Sequence, residues 1–459
     1  MPRPETVSAV PPPRSLTPFE QLMLADARPG YPMTFYIESE VEGDLCLDRF
    51  RVAVGVAAAR HPRCCSRVAT GGNRPCWLAP DVLPSVEEIS AAAWRPPDLT
   101  RESGIRLVVM PGGIATSSAA RSVTRSATGD GQAAAYRLVM VVHHAVCDGI
   151  AAAEFLGDVW AAYHGLEPPR FTAGRPGSDS LAVPDRRPPG LRAIIASARP
   201  FALFRPQPLR SMPHRGRHRS SYSPAGHEVQ AVQPPYESLL FDREATTRLR
   251  RAVAAAGWSV NDAIVAAAIR AVAAWNDRFG GRRGNVRITL PVSLRPVGSR
   301  EPAGNGISYA FLDRRPAEYR DIRKLADWVA TASRWVVETG AATEFLSVLE
   351  ILAARPWLLG AVTRLPACFS TAVVSTLGDT ARRMKSGVPK EDGLDAPGGL
   401  VIRAMRGVPP LRPGTRVAVG VLTYGGQLSL TCLCAAAADP RAAAGEFLDL
   451  LAAELASLV

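Results

Sequence analysis

The stretch Val141-Val142-His143-His144-Ala145-Val146-Cys147-Asp148-Gly149 carries two adjacent imidazoles from an apolar run into a turn that ends in Asp and Gly. Residues 135–142 form a run typical of a β-strand, and residues 150–164 have apolar side chains at helical spacing. The sequence therefore predicts that the motif lies at a strand-to-helix junction. We interpret it as a candidate active site.

Each position of this motif suits a particular role. A neutral imidazole, with an ordinary pKa of about 6.5, can take a proton from an alcohol or amine near neutral pH, and we assign this role to His144. Strand alternation directs His143 to the opposite face. We expect Asp148 to hold the loop through a buried ion pair rather than to abstract protons, and Gly149 to let a backbone or substrate approach closely.

Two other interpretations of the motif stay open. One is a structural pair of histidines, with satisfied hydrogen bonds, at a strand end. The other makes Cys147 a nucleophile with His144 as its base, whereas the simpler role for that cysteine is packing. A metal site is not predicted, because no cluster of Cys or His with ligand spacing accompanies the pair.

The composition is that of an ordinary globular protein with room for two lobes. The 459 residues are 47% hydrophobic and 21% charged, and no run of eighteen apolar residues appears. The eight cysteines have neither disulfide-framework nor zinc-ligand spacing, which is typical of a reducing compartment. Because the Pro-rich start does not match a signal peptide, we expect a cytoplasmic protein.

A basic segment stands out in this chain of net charge +12. Residues 186–227 contain nine Arg, three His, many Pro and no acidic residue. A long solvated connection is the simplest interpretation. The functional alternatives are docking of an acidic carrier protein, attraction of a donor's phosphates, and peripheral contact with an anionic membrane surface. Nucleic acid is not a predicted partner, because no aromatic-rich or DNA-reading motif accompanies the charge.

The predicted elements divide the chain into four parts. We expect a disordered terminus over 1–14, an N-terminal lobe over 15–185, an Arg/Pro-rich connector over 186–235 and a C-terminal lobe over 236–459. The Gly, Ser and Arg content of residues 111–132 predicts a surface loop. Both lobes mix strands with helices, so the fold class is mixed α/β, with the binding site expected between the lobes.

Two predicted helices are used below. Apolar spacing predicts one over residues 47–60, which ends before a proline, and one over residues 261–278. At the start of the second, Asn261 and Asp262 have the side chains that favour a helix N-terminus.

The motif and the order of weaker motifs around it resemble the chloramphenicol-acetyltransferase-like acyltransferase superfamily. That group includes peptide-synthetase condensation domains, the wax ester synthase/diacylglycerol acyltransferase family and polyketide-associated acyltransferases. The resemblance covers nearly the whole chain. Its weaker motifs persuade only by their order, and they are Leu16-Thr17-Pro18-Phe19-Glu20, Ala59-Arg60-His61-Pro62, Val260-Asn261-Asp262-Ala263-Ile264, Leu290-Pro291-Val292-Ser293-Leu294-Arg295, Gly304-Asn305 and Thr423-Tyr424-Gly425-Gly426-Gln427-Leu428.

The resemblance implies two similar lobes, each a mixed sheet with helices, around a central channel that donor and acceptor enter from opposite faces. It implies His144 as the general base in mid-channel, and Arg295 as the partner of Asp148. A single buried carboxylate needs such a cation. The alternative for Arg295 is a surface position. Asn305 and Ser308 are candidates for contact with the oxyanion.

The expected activity is transfer of an acyl group from a CoA or carrier-protein thioester to a small-molecule alcohol or amine, with no covalent enzyme intermediate. No metal or organic cofactor is implied beyond the thioester's own pantetheine arm. The alternatives are a free-standing condensation enzyme of a natural-product pathway, a wax ester or triacylglycerol synthase, and an inactive scaffold that binds a carrier protein. The intact His144 and Asp148 argue against the scaffold. The sequence leaves the acyl chain, acceptor, donor type and oligomeric state open.

Overall fold

Two mixed β-sheets with packed helices organise the chain. A computed structural model describes residues 14–71, 74–88, 95–112, 120–122, 135–172, 204–212, 235–281 and 283–458. The strands are β1 Arg14–Ser15, β2 Thr34–Glu42, β3 Val68–Ala69, β4 Cys76–Trp77, β5 Ser85–Glu88, β6 Ile105–Pro111, β7 Ala120–Ser122, β8 Ala135–His143, β9 Tyr236–Phe241, β10 Val286–Ser293, β11 Ile307–Arg314, β12 Ala372–Asp379, β13 Lys390–Glu391, β14 Leu394–Asp395, β15 Val401–Val408, β16 Val417–Tyr424 and β17 Gln427–Cys434.

The helices cover both sheets. They are α1 Pro18–Asp26, α2 Leu47–Arg60, α3 Gly149–His164, α4 Arg243–Ala255, α5 Val260–Arg278, α6 Ile322–Thr339, α7 Thr343–Ala353, α8 Pro356–Arg364, α9 Thr380–Met384 and α10 Pro440–Ala456, with short 3-10 helices at Pro62–Cys65 and Pro397–Gly399. The prediction of a helix over residues 47–60 is confirmed.

The first sheet has the strand order β15-β2-β8-β6-β5. Its central strand β8 is antiparallel to β2 and to β6. From Leu138 to Val142 this strand is buried throughout, which explains why it reads as a continuous apolar run rather than an alternating one. Helices α2 and α3 share its main core, to which Phe50 and Trp160 contribute large buried side chains.

The second sheet has the strand order β11-β10-β12-β16-β17-β9-β7. Helices α5 and α10 supply the core beside it, including the buried Trp275 and Phe447. Each half therefore combines a mixed sheet with helices. The prediction of a two-lobed mixed α/β fold is confirmed.

Two strands join the sheet of the opposite predicted lobe. From late in the chain, β15 joins the first sheet, where Gly407 pairs with Ile37 of β2. From early in the chain, β7 joins the edge of the second sheet, where Ala120 pairs with Ser238 of β9. This short strand lies within the predicted surface loop, so that prediction was wrong at 120–122. Residues 113–119 and 123–132 of the loop lie outside the described residues.

A piece of the predicted connector is docked rather than solvated. Residues 204–212 lie against the second lobe, where Leu209 is completely buried in the core. The backbone N–H of Gln207 donates to the carbonyl of Asn285 at 2.8 Å. Backbone hydrogen bonds and one apolar anchor therefore fix this piece, which its Arg and Pro content did not indicate. The rest of the connector before Pro235, and residues 1–13, lie outside the described residues.

Helix α5 begins earlier than predicted. Its N-cap is Ser259, whose Oγ accepts from the backbone N–H of Asp262 at 3.1 Å, while Asp262 Oδ2 accepts from the backbone N–H of Ser259 at 2.9 Å. This reciprocal capping box satisfies two amide groups at once. Asn261 is thus left free of capping and faces the cavity described below.

Candidate active site

The two histidines lie where β8 turns into α3, as predicted. Strand β8 ends at His143 and helix α3 begins at Gly149. Asp148 is the N-cap, and its Oδ1 accepts from the backbone N–H groups of Ile150 and Ala151, each at 3.0 Å. The carboxylate therefore fixes the start of the helix and the turn that carries the histidines.

His144 lines a cavity between the two lobes. Its backbone N–H donates to the carbonyl of Met33 at 2.9 Å, and its ring packs edge-on against Phe35 and Phe19, with centroids 5.2 and 6.0 Å away. Burial lowers the pKa of His144 below its ordinary value, although the charge of Asp148 acts in the opposite direction. The ring is therefore neutral at pH 7 and able to accept a proton.

His143 has a structural environment. Its Nδ1 accepts from the backbone N–H of Ala145 at 3.2 Å, and the backbone N–H of His143 donates to the carbonyl of Gly104 at 2.9 Å. Burial, reinforced by the neighbouring His144, lowers the pKa of His143 to about 3. The side chain is not among those that line the cavity. Its place agrees with the strand alternation expected from the sequence.

Asp148 and Arg295 form the buried ion pair that the resemblance implies. Nη1 of Arg295 donates to Oδ2 of Asp148 at 2.7 Å, and the two side chains are 7% and 1% exposed. The backbone N–H of Gly306 donates to the same oxygen at 2.6 Å. Burial alone would lower the pKa of Arg295, but the charge and hydrogen bond of Asp148 outweigh it and raise that pKa. Arg295 is therefore held as a cation inside the protein rather than on its surface.

Residues 304–306 wrap around this ion pair. Nη2 of Arg295 donates to the carbonyl of Gly304 at 2.8 Å. A β-carbon added at Gly306 would lie 2.6 Å from Nη1 of Arg295, so this approach requires glycine. Between the glycines, the Asn305 amide donates to the carbonyls of His144 at 2.9 Å and of Ala145 at 3.0 Å. Both of its N–H groups are engaged, so Asn305 is not available to donate to an oxyanion, contrary to the expectation from sequence.

Ser308 and Cys147 are not brought to the cavity. Ser308 is fully buried, and its hydroxyl donates to the carbonyl of Ala342 at 2.6 Å. Cys147 is fully buried in the core of the first lobe, and burial raises the pKa of its thiol far above the ordinary value. A thiol in that state is a packing group rather than a nucleophile. Gly149 does line the cavity, and a β-carbon there would contact Leu377 at 3.4 Å.

The cavity has a volume of about 390 Å³ and is walled by elements of both lobes. Its apolar lining is Phe35, Ile37, Ile150, Leu290, Pro291, Val292, Ile307, Val336, Val337, Leu377, Val408, Pro409, Pro410 and Val421. Its polar lining includes Tyr36, Asn261, Ser293, Ser333, Ser375 and Thr376. The charged lining residues are Asp148, which is neutralised by Arg295, and Arg383. Within the described part of the chain, Arg383 makes no hydrogen bond or ion pair.

A second buried cluster, formed by His61, Asp158, Arg60 and Arg300, lies beside the segment that precedes residues 304–306. His61 Nδ1 accepts from the backbone N–H of Ala303 at 2.7 Å, so its proton is on Nε2, which lies 3.1 Å from Asp158. Asp158 also binds Arg60 and Arg300. In the sequence, Ala59-Arg60-His61-Pro62 indicates only the family resemblance. Its histidine in fact anchors the segment that leads to residues 304–306.

The described residues contain neither a candidate metal site nor a single helix that could cross a membrane. In those parts of the chain, no group of three or more His, Cys, Asp and Glu residues could hold a metal ion. No single helix there is long and apolar enough to cross a membrane. Two bent pairs, α4 with α5 at 91° and α7 with α8 at 115°, have sufficient length and apolar composition only when taken together.

The fold is similar to that of several acyl-transfer and condensation proteins. A trichothecene 15-O-acetyltransferase from Fusarium sporotrichioides is 13% identical over 99% of this chain and 100% of its own, with a TM-score of 0.67. The first condensation domain of the calcium-dependent antibiotic synthetase is 17% identical over 97% of both chains, with a TM-score of 0.64. Polyketide synthase associated protein 5 from Mycobacterium tuberculosis is 17% identical over 97% of this chain and 99% of its own, with a TM-score of 0.61.

No protein-family model matches the chain, and no curated protein matches it by sequence. At these identities the comparison concerns the fold alone. The chain has the two-lobed fold that these chloramphenicol-acetyltransferase-like proteins share, as its sequence motifs predicted.

Proposed function

We propose that the protein is an acyltransferase that moves an acyl group from a thioester donor to a hydroxyl or amine acceptor, with His144 as the general base. The observation that carries this proposal is a buried, neutral imidazole on the wall of a cavity between two lobes of an acyl-transfer fold. No other imidazole lines that cavity among the described residues. A neutral histidine is the side chain best matched to this proton transfer near pH 7.

In the proposed reaction one base serves both proton transfers. As the acceptor oxygen or nitrogen attacks the thioester carbonyl, its proton passes to the unprotonated ring nitrogen of His144. The tetrahedral intermediate then collapses, the carbon–sulfur bond breaks, and the same nitrogen returns the proton to the leaving thiolate. The buried, protonated thiol of Cys147 and its place outside the cavity support direct attack without an acyl-enzyme.

Asp148 and Arg295 have a supporting part in this mechanism. Their contacts with the start of α3 and with residues 304–306 hold the turn that carries His144. The carboxylate already accepts four hydrogen bonds, and the guanidinium donates to Asp148 and to the carbonyl of Gly304. The pair therefore fixes geometry, and a misplacement of the base would lower the rate.

The lining of the cavity supports a donor with an apolar acyl group and a phosphate-bearing arm. Its walls are mainly aliphatic and aromatic side chains, which favour binding of hydrocarbon. Arg383 is a cation without a partner in the described chain, so a phosphate would gain a charge-assisted contact there. CoA and the phosphopantetheine of a carrier protein both carry such a phosphate. We further propose the cytoplasm as the site of action.

A product screen tests the proposal. Purified protein is incubated with acyl-CoA and acyl-carrier-protein donors of several chain lengths, each with alcohols and amines, and products are identified by mass spectrometry. An ester or amide that forms with the wild-type protein, and is absent with His144→Ala, is the expected result. If binding of a carrier protein occurs with no product from any pair, the inactive-scaffold alternative is favoured instead.

A further inference from the structure

In the side chain of Asn305, both amide N–H groups make hydrogen bonds, whereas the amide oxygen makes none among the described residues. Its Nδ2 donates to the carbonyls of His144 and Ala145 at 2.9 and 3.0 Å. The reversed amide would place an oxygen against those two carbonyl oxygens, so its orientation is fixed. The remaining atom, Oδ1, is buried and has no hydrogen-bond partner among the described residues.

The ring of His144 has the complementary unused atom. Its Nδ1 is also buried, and no described group makes a hydrogen bond of ordinary geometry with it. Burial lowers the pKa of His144, and the backbone carbonyl of His144, the charge of Asp148 and the nearby side chain of Asn305 each act in the opposite direction. Leaving a donor and an acceptor both buried and unpaired costs free energy, which favours their pairing.

We propose that Asn305 is the positioning residue of the base: its Oδ1 accepts a hydrogen bond from Nδ1–H of His144, so that Nε2 carries the lone pair. This role rests on the proposed function and extends it, because it sets which ring nitrogen receives the acceptor's proton. Hydrogen bonds in catalytic sites are often long in ligand-free structures and tighten in the working complex.

The proposed contact also links the Asp148–Arg295 pair to the base. Arg295 donates to the carbonyl of Gly304, and Asp148 accepts from the backbone N–H of Gly306, so the ion pair holds both residues that flank Asn305. The amide of Asn305 in turn donates to the backbone carbonyl of His144. The ion pair is thus linked to the imidazole through one asparagine.

Nitrogen-15 NMR of histidine-labelled protein reads the tautomer directly and does not depend on turnover. The signals of His144 are identified by their loss in His144→Gln. In the wild type we expect the Nδ1–H tautomer. In Asn305→Ala we expect that tautomer to be lost or mixed, and the pKa of His144 to fall, because the acceptor that favours the protonated ring is gone.

Asn305→Gln supplies a second variant that restores what Asn305→Ala removes. Its longer side chain keeps an amide that can donate to the two carbonyls and accept from Nδ1, so the Nδ1–H tautomer and the pKa of His144 should lie nearer the wild-type values than in Asn305→Ala. Ser308→Ala is the matched control, because it removes one buried hydrogen bond from the adjoining strand without contact with the imidazole, and should change neither quantity.

The proposal is overturned if Asn305→Ala keeps both the wild-type tautomer and the wild-type pKa. That result would mean that the backbone carbonyls of His144 and Cys147, which also lie near the ring, hold the Nδ1 proton instead. A tautomer effect without any acyl-transfer activity would support Asn305 and contradict only the proposed function.

Discussion

Breaking the Asp148–Arg295 pair should cost stability in a way that shows the two charges depend on each other. Asp148→Asn keeps an oxygen that can cap α3 but presents an amide to Arg295 and Gly306, which are both donors. Arg295→Ala leaves a carboxylate that is 1% exposed without its cation. Each change leaves an uncompensated buried group, for which a loss of about 3 to 5 kcal/mol in the free energy of unfolding is expected.

The double variant removes both charges, so its loss should fall short of the sum of the single losses by about 2 to 3 kcal/mol. The assay is urea unfolding of the four proteins, followed by both far-ultraviolet circular dichroism and tryptophan fluorescence, since coincident curves are needed to treat the transition as two-state. Glu42 and Arg403 provide the control cycle. Their side chains are 31% and 35% exposed, and a coupling below about 1 kcal/mol is expected for such a pair. Additivity at Asp148 and Arg295, or a coupling no larger than the control, would refute the reasoning.

Three further predictions concern activity. Because burial lowers the pKa of His144, the basic form of this residue persists below pH 6.5. We therefore expect kcat/KM to be constant above about pH 6.5 and to fall only at lower pH. A fall in kcat/KM centred above that pH would contradict the environment described. Arg383→Ala should raise the KM for an acyl-CoA donor but not the KM for an acyl-N-acetylcysteamine thioester, because the latter lacks a phosphate. The control is Arg382→Ala, which removes the neighbouring arginine that pairs with Asp379. The third prediction concerns residues 186–227, in which Arg215, Arg217 and Arg219 are converted to Glu. If this segment recruits the donor, the change should raise the KM for the donor, as high salt does, and leave kcat unchanged. If the segment is only a linker, the KM for the donor should not change.

The site could be predicted from sequence where local chemistry determines it. The continuous apolar run before His143 predicts a strand, and the helical spacing of apolar residues after Gly149 predicts a helix. Both patterns depend only on residues that are near in sequence, and the structure has both elements at these positions. The place of Arg295 came from the resemblance alone, because no local pattern joins residues 147 positions apart. What the sequence could not provide was the orientation of side chains around the base.

Asn305 and Ser308 illustrate that limit. Both are polar residues just after the Arg295 strand, and both suit an oxyanion contact by type. In the fold the amide turns to the carbonyls of His144 and Ala145, and the hydroxyl turns to a carbonyl on another segment. These choices depend on the conformation of the segment around two glycines, which no periodicity encodes.

The long-range pairings were missed for a related reason. Strand β15 crosses into the first sheet and β7 into the second, and neither partner is near in sequence. Residues 204–212 look solvated by their Arg and Pro content, yet one buried leucine, Leu209, and backbone hydrogen bonds dock them. Composition describes the average behaviour of a segment, whereas a single apolar side chain with a complementary site decides its place.

The central claim is that His144 is the base in an acyl transfer, and the single-turnover rate of a productive donor and acceptor pair tests it most directly. The rate is measured for wild type, His144→Ala and His143→Ala, each shown to be folded by circular dichroism. We expect His144→Ala to be slower by at least about a hundredfold, the typical contribution of a positioned base, and His143→Ala to lose stability while its folded fraction keeps most of the rate. A folded His144→Ala protein that transfers the acyl group at a rate near wild type would contradict the account.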